Sequence, residues 1–167
     1  MTSPTADIHD DKILILDFGS QYTQLIARRV RELGVYCEIH PISITEDSVK
    51  ALSPRGVILS GGPESVTAQD TLAAPSFIFE LGLPVLGICY GMQSLAAQLG
   101  GSVASADVCE FGHANLNYTS ESSLFKHLDL GADFSVWMSH GDHVTTLPDG
   151  FICTATSADA PIAAMED

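Results

Sequence analysis

Pro84-Val85-Leu86-Gly87-Ile88-Cys89-Tyr90-Gly91-Met92-Gln93 runs from an apolar strand into a helix through a sharp turn, with a cysteine bracketed by glycines two residues away on each side. Such an elbow forces its central residue into a strained backbone conformation. Side-chain-free neighbours are what let strand and helix pass closely enough to expose the sulfur. A cysteine placed there reads as a nucleophile. Free cysteine is also among the most buried residue types and behaves as a small hydrophobe, and that plainer reading is applied to Cys37, Cys109 and Cys153, each in or beside an apolar strand pattern. For Cys89 the flanks favour the nucleophile. It opens a helix, whose amino terminus is expected to favour the thiolate and lower its pKa, and Tyr90 N–H would lie beside the reacting centre.

Upstream, the same alternation repeats. Ile13-Leu14-Ile15-Leu16 is an unbroken branched-apolar run, as a parallel strand covered on both faces requires. In 21–33 the apolar residues Tyr22, Leu25, Ile26, Val30 and Leu33 fall at helical spacing, with Arg28, Arg29 and Arg31 toward the carboxyl end and Gly34 as the stop. Strands are predicted at 35–39, 57–59 and 85–88, and helices at 46–52, 72–81 and 90–99, with Pro75 tolerable only near a first turn. This order implies an α/β fold: a doubly wound, mostly parallel sheet with helices on both faces. Beyond Ser102 the texture changes to short β-like stretches near Val103 and over 114–118, 134–138 and 151–156, read as antiparallel edge strands and hairpins on the same sheet.

At 167 residues and 46% hydrophobic, the chain is expected to form one domain over 1–167, with 1–11 a flexible leader. A formal charge of −14 repels phosphate backbones and anionic lipid, so neither nucleic acid nor membrane is an expected partner. The acidic start lacks the basic and apolar regions of a secretory signal. No apolar run approaches the roughly 20 residues that span a bilayer. Four scattered cysteines without a C-x-x-C pair suggest neither a zinc site nor a disulfide framework, and a reducing, cytoplasmic location fits best.

In an open α/β sheet ligands bind outside the carboxyl ends of the strands. Three loops leave such ends here: 17–21, 60–65 and 89–93. Ser60-Gly61-Gly62-Pro63 offers bare amides that could face a developing oxyanion, although by itself a Gly-Gly-Pro segment is more often just a turn.

Four blocks then fall into one order: Asp17-Phe18-Gly19-Ser20-Gln21-Tyr22, Ser60-Gly61-Gly62-Pro63-Glu64-Ser65, Gly87 to Gln93, and Trp137-Met138-Ser139-His140-Gly141-Asp142. Together they resemble the flavodoxin-like amidotransferase domain of the glutamine-hydrolysing GMP synthase family, a branch of the class I glutamine amidotransferases. The Gly-x-Cys-x-Gly elbow marks the wider class, and the first and last blocks mark the branch. The resemblance implies glutamine hydrolysis through a γ-glutamyl thioester on Cys89. Oxyanion amides would come from Gly62 and Tyr90, and Gln93, Ser139, Gly141 and Asp142 would line the glutamine pocket, the last three largely through backbone. Ammonia would pass to a separate synthetase domain, which uses ATP and Mg2+ to aminate XMP to GMP. The parent enzyme would be a homodimer, and this domain itself would carry no cofactor or metal.

A thiol attacking an amide needs a positioned base that later protonates the leaving ammonia. His140 and His143, flanking Gly141-Asp142, are the tempting candidates. In the resembling family, however, that block is a pocket wall, and the base is the histidine of a His-Pro-Glu block on a later strand. No His-Pro-Glu occurs in this sequence, whose Ala160-Pro161-Ile162-Ala163-Ala164 resembles the strand before it. The chain is therefore expected to be a C-terminally incomplete domain that turns over poorly and lacks the synthetase, which would need a phosphate-cradling glycine loop. His9, His40, His113 and His127 read as ordinary surface or half-buried histidines. Cys109-Glu110-Phe111-Gly112-His113 departs from the family pattern without touching a catalytic role. Two other readings stay open: an amidotransferase serving another acceptor, such as anthranilate or CTP synthesis, and a non-catalytic glutamine-binding or docking module.

Overall fold

The computed structural model describes residues 11–68, 71–119, 122–128 and 134–167, and of 106–111 the backbone alone. Residues 1–10 of the expected leader, His9 among them, and the packing of the Cys109 side chain lie outside the described residues. The chain divides into two compact units, Met1–Pro63 with Leu72–Met92 and Glu64–Thr71 with Gln93–Asp167.

In the first unit β1 (Lys12–Asp17), β2 (Tyr36–Pro41), β3 (Gly56–Leu59) and β4 (Val85–Gly87) pair in parallel in the order β2-β1-β3-β4. Leu14, Ile15 and Leu16 are fully buried, as a central strand covered on both faces must be. Side chains alternate across a strand. Ile13 and Ile15 therefore share one face, where they pack with Ala27, Ile26 and Val30 of α1 (Thr23–Glu32) and with Cys37 of β2. Arg31 Nη2 donates to the Cys37 carbonyl at 3.1 Å, fixing the end of the helix to that strand. Right-handed crossovers put α1, which joins β1 to β2, on one face and α2 (Glu46–Leu52), which joins β2 to β3, on the other. The amino end of α2 is capped by Thr45, whose Oγ1 accepts from Ser48 N at 3.3 Å.

α3 covers only Phe77–Glu80, not the predicted 72–81. Pro75 disfavours helical backbone at the residue before it, so the helix begins after the proline rather than through it. The strand order reverses between β1 and β3, so the loops leaving their carboxyl ends flank the switch point where α/β sheets bind ligands. β4 leads into α4 (Tyr90–Gln98), whose residues from Gln93 onward belong with the second unit.

That unit is antiparallel. β5 (Ser102–Asn115) pairs with β7 (Ser135–Thr146), and β6 (Asn117–Tyr118), β8 (Ile152–Thr156) and β9 (Ala164–Glu166) form a three-stranded sheet in the order β6-β8-β9. The expectation that these stretches extend the parallel sheet is corrected: they form two sheets of their own. The stretches near Val103 and over 114–115 belong to one long β5, and the Ser139 to Asp142 block lies inside β7. Leu116, Ala155 and Ala164 make a small buried cluster, joined by Phe125, Phe134, Val136 and Met138. The β9 end is clasped by Glu166, whose carboxylate accepts from Ser123 N at 3.1 Å and from the Ser122 and Ser123 hydroxyls.

Candidate active site

Cys89 has φ +52°, one of two described non-glycine residues in the left-handed region, at a cost of about 1 kcal/mol for an L-residue. The glycines on either side make that possible by closeness rather than by unusual torsions. A Cβ on Gly91 would lie 2.3 Å from the Leu59 carbonyl oxygen, and one on Gly87 would lie 2.6 Å from Met92 Cα. Ile88 N also donates to Leu59 O at 3.0 Å, so the first turn of α4 sits directly on the carboxyl end of β3. Burial pushes the half-buried Cys89 thiol up, and the Tyr90 N–H donating to its sulfur offsets this only in part. The expected net lowering by the helix terminus is therefore overturned, because loss of solvent outweighs one backbone donor.

The loop after β3 lies beside this elbow. A Cβ on Gly61 would be 3.7 Å from Cys89 Cβ and 3.4 Å from Ser20 Oγ; on Gly62 it would be 3.1 Å from the Phe18 carbonyl oxygen and 3.2 Å from Tyr90 Cγ. Ser60 is fully buried, accepts from Phe18 N at 3.0 Å and donates to the Gly61 carbonyl at 2.8 Å. Tyr90 is also fully buried, its ring 5.3 Å from Phe18 and its hydroxyl donating to Leu72 O at 2.6 Å. Asp17 Oδ1 accepts from Gly19 N at 2.9 Å and Thr23 Oγ1 at 2.7 Å, shaping the loop after β1. Gly61, Gly62, Cys89 and Tyr90 are thus gathered at the carboxyl ends of β3 and β4.

In the second unit Gln93 Nε2 donates to the Asp142 carbonyl at 2.8 Å, bringing together two of the predicted pocket residues. The Asp142 carboxylate is buried and accepts from the hydroxyls of Ser65 and Ser105, the latter at 3.1 Å. Ser65 also receives Thr67 N at 3.1 Å. Ser139 is exposed on β7 and Gly141 half-buried. His143 is half-buried, with Nδ1 inside and unpartnered among the described residues, so no carboxylate orients it there as a base would require. His140 is half-buried and His113 and His127 are exposed; His40 bonds Glu38 at 3.0 Å.

Sequence reading placed Ser60 and Ser65 in a site loop without giving either a role, and missed Ser105. Single serines carry no periodicity, and only the glycine neighbours of Ser60 hinted at its place. Chemically, the first unit presents a sulfur at a strained turn with a backbone donor on it and a glycine loop alongside, an arrangement suited to attack on a carbonyl. Among the described residues no cluster of His, Cys, Asp or Glu could hold a metal ion, and no helix is long and apolar enough to cross a membrane.

A protein-family model described as class-I glutamine amidotransferase matches residues 14–167. Glutamine-hydrolysing GMP synthases of Ectopseudomonas mendocina (strain ymp) and Coxiella burnetii (strain RSA 331 / Henzerling II) are 55% and 56% identical over 96% of this chain. The chain spans about a third of the length of these curated relatives, 32% of each. Among solved structures, a protein of Thermoplasma acidophilum described as part of a GMP synthase superposes with a TM-score of 0.79 at 30% identity, over 93% of this chain and 77% of that one. A glutamine amidotransferase of Thermotoga maritima shares the fold at 21% identity, with a TM-score of 0.71 over 93% of this chain and 71% of its own.

Proposed function

We propose that this chain, which belongs to the class-I glutamine amidotransferase family, is the glutamine-hydrolysing part of a GMP synthase, with Cys89 as its nucleophile. The Cys89 thiolate attacks the side-chain carbonyl carbon of glutamine, and the π pair moves onto oxygen. The amides of Gly62 and Tyr90 stabilise that oxyanion. Its collapse breaks the carbon–nitrogen bond, ammonia leaves once its nitrogen is protonated, and a γ-glutamyl thioester remains. Water then attacks the thioester, and the thiolate departs to give glutamate. Gln93, Ser139, Gly141 and Asp142 hold the glutamine, the last three through backbone groups. The raised thiol makes a proton acceptor necessary, and on the family resemblance this is the histidine of a His-Pro-Glu block, which these 167 residues do not contain.

The ammonia would serve a synthetase that uses ATP and Mg2+ to aminate XMP, in a cytoplasmic, homodimeric parent enzyme. The chain's identity to glutamine-hydrolysing GMP synthases supports this part.

The observation that carries the chemistry is Cys89 at φ +52° with the Tyr90 amide on its sulfur and Gly61 beside it. A γ-chloroketone analogue of L-glutamine tests it, with adducts located by peptide mass spectrometry. Cys89 should be alkylated first, L-glutamine should protect it, and Cys89→Ser should abolish the adduct. Reaction at Cys37 or Cys153 while Cys89 stays unmodified would overturn the assignment and favour a docking module.

A further inference from the structure

The Ser60 hydroxyl is fixed at both ends. Phe18 N can only donate and the Gly61 carbonyl can only accept, so the Ser60 oxygen must receive the first and give its proton to the second, at 3.0 and 2.8 Å. Ser60 is fully buried, and its own amide donates to Leu16 O at 3.0 Å, so its backbone is fixed against β1 as well. The Gly61 carbonyl and the Gly62 N–H belong to one planar peptide, and no cis peptide bond occurs among the described residues. In a trans peptide these two groups point in opposite directions. A Gly61 oxygen turned inward to Ser60 therefore turns the Gly62 N–H outward. Among the described residues no other hydrogen bond to this carbonyl would hold that orientation, and glycine on both sides leaves the peptide unusually free to rotate.

We propose that Ser60 is a positioning residue for glutamine hydrolysis: its buried hydroxyl sets the orientation of the Gly61–Gly62 peptide and so aims the Gly62 amide at the oxyanion. This rests on the glutaminase reading, in which Gly62 is an oxyanion donor. The Ser60 hydroxyl is engaged by Phe18 N and the Gly61 carbonyl, so its effect belongs to the rate of carbonyl chemistry and not to the reactivity of the thiol.

The test compares two alkylating agents on the 167-residue chain and its Ser60→Ala variant, reading the Cys89 peptide by mass. With the glutamine γ-chloroketone the thiolate displaces chloride next to a ketone that the oxyanion amides polarise. With iodoacetamide it displaces iodide, and the rate reports the thiol and its access. Loss of one oxyanion donor costs about 10²–10³ in rate, so one that is misaimed should cost about tenfold. Ser60→Ala should slow the limiting chloroketone rate about tenfold, leave the concentration for half-maximal rate within about twofold, and leave iodoacetamide unchanged. Ser60→Thr, which keeps the hydroxyl, should restore the chloroketone rate. If Ser60→Ala does not fold, Ser60→Cys, nearly isosteric and a weaker donor, is held to the same criterion. A parallel fall with both agents, or no fall with either, overturns the proposal. Absence of glutamine-protected labelling in the unsubstituted chain would instead sink the glutaminase reading itself.

Discussion

Around Cys89 a single added carbon at Gly91 would come within 2.3 Å of the Leu59 carbonyl, whereas around Asp142 and Glu166 serine hydroxyls reach in to carboxylates across dozens of residues of chain. The elbow at Cys89 is shaped by backbone packed on backbone, the clusters at Asp142 and Glu166 by side chains gathered on an acid. The two fail differently. Backbone contact tolerates no added volume, while a carboxylate cluster tolerates volume but not loss of the acceptor.

The largest effect is expected where backbone meets backbone. Gly91→Ala should cost about 3 kcal/mol by urea unfolding, because the obstacle is a carbonyl that cannot swing aside. A loss below about 1 kcal/mol would break the contrast between the elbow and the carboxylate clusters. Asp142→Ala should cost about 2 kcal/mol, since the Ser65 and Ser105 hydroxyls lose a charged acceptor in a buried place. Unfolding followed at Trp137, the chain's single tryptophan, reads this change within the second unit.

Legibility in the sequence divides along the same line. Ile13 to Leu16, the helical spacing of Leu25, Ile26 and Val30, and the glycine-bracketed Cys89 are local patterns, and each is found where its pattern places it. α3 is shorter than its apolar spacing over 72–81 suggests, because that spacing ignores the constraint that Pro75 puts on Ala74. In the second unit the decisive links join Ser65 to Asp142, Ser105 to Asp142 and Ser122 to Glu166. No local period encodes such partners, so reading along the chain puts the antiparallel strands on the wrong sheet. The sequence reading assigns Gln93 and Asp142 to one pocket wall, but gives no sign that the Gln93 side chain bonds the Asp142 carbonyl.

Two smaller effects sharpen the comparison. Thr45→Ala removes a side-chain cap inside the first unit and should cost about 1 kcal/mol in thermal unfolding. Glu166 is held down to about 2 by the Ser122 and Ser123 hydroxyls and the Ser123 amide. Its folded pKa lies below its ordinary 4.5, so the folded state binds the proton less tightly. The stability it adds is complete above about 4.5 and is lost as pH falls toward 2. Glu166→Gln should therefore flatten the acid limb of a stability–pH curve in that window and lower the plateau only slightly, because the group is exposed to solvent screening.

The left-handed backbone at Cys89 has an evolutionary corollary. Glycine is the residue most at ease at that torsion, so relief of backbone strain and the chemistry proposed for Cys89 pull position 89 in opposite directions. Selection for relief of that strain alone would favour glycine there, and with it the loss of the proposed nucleophile.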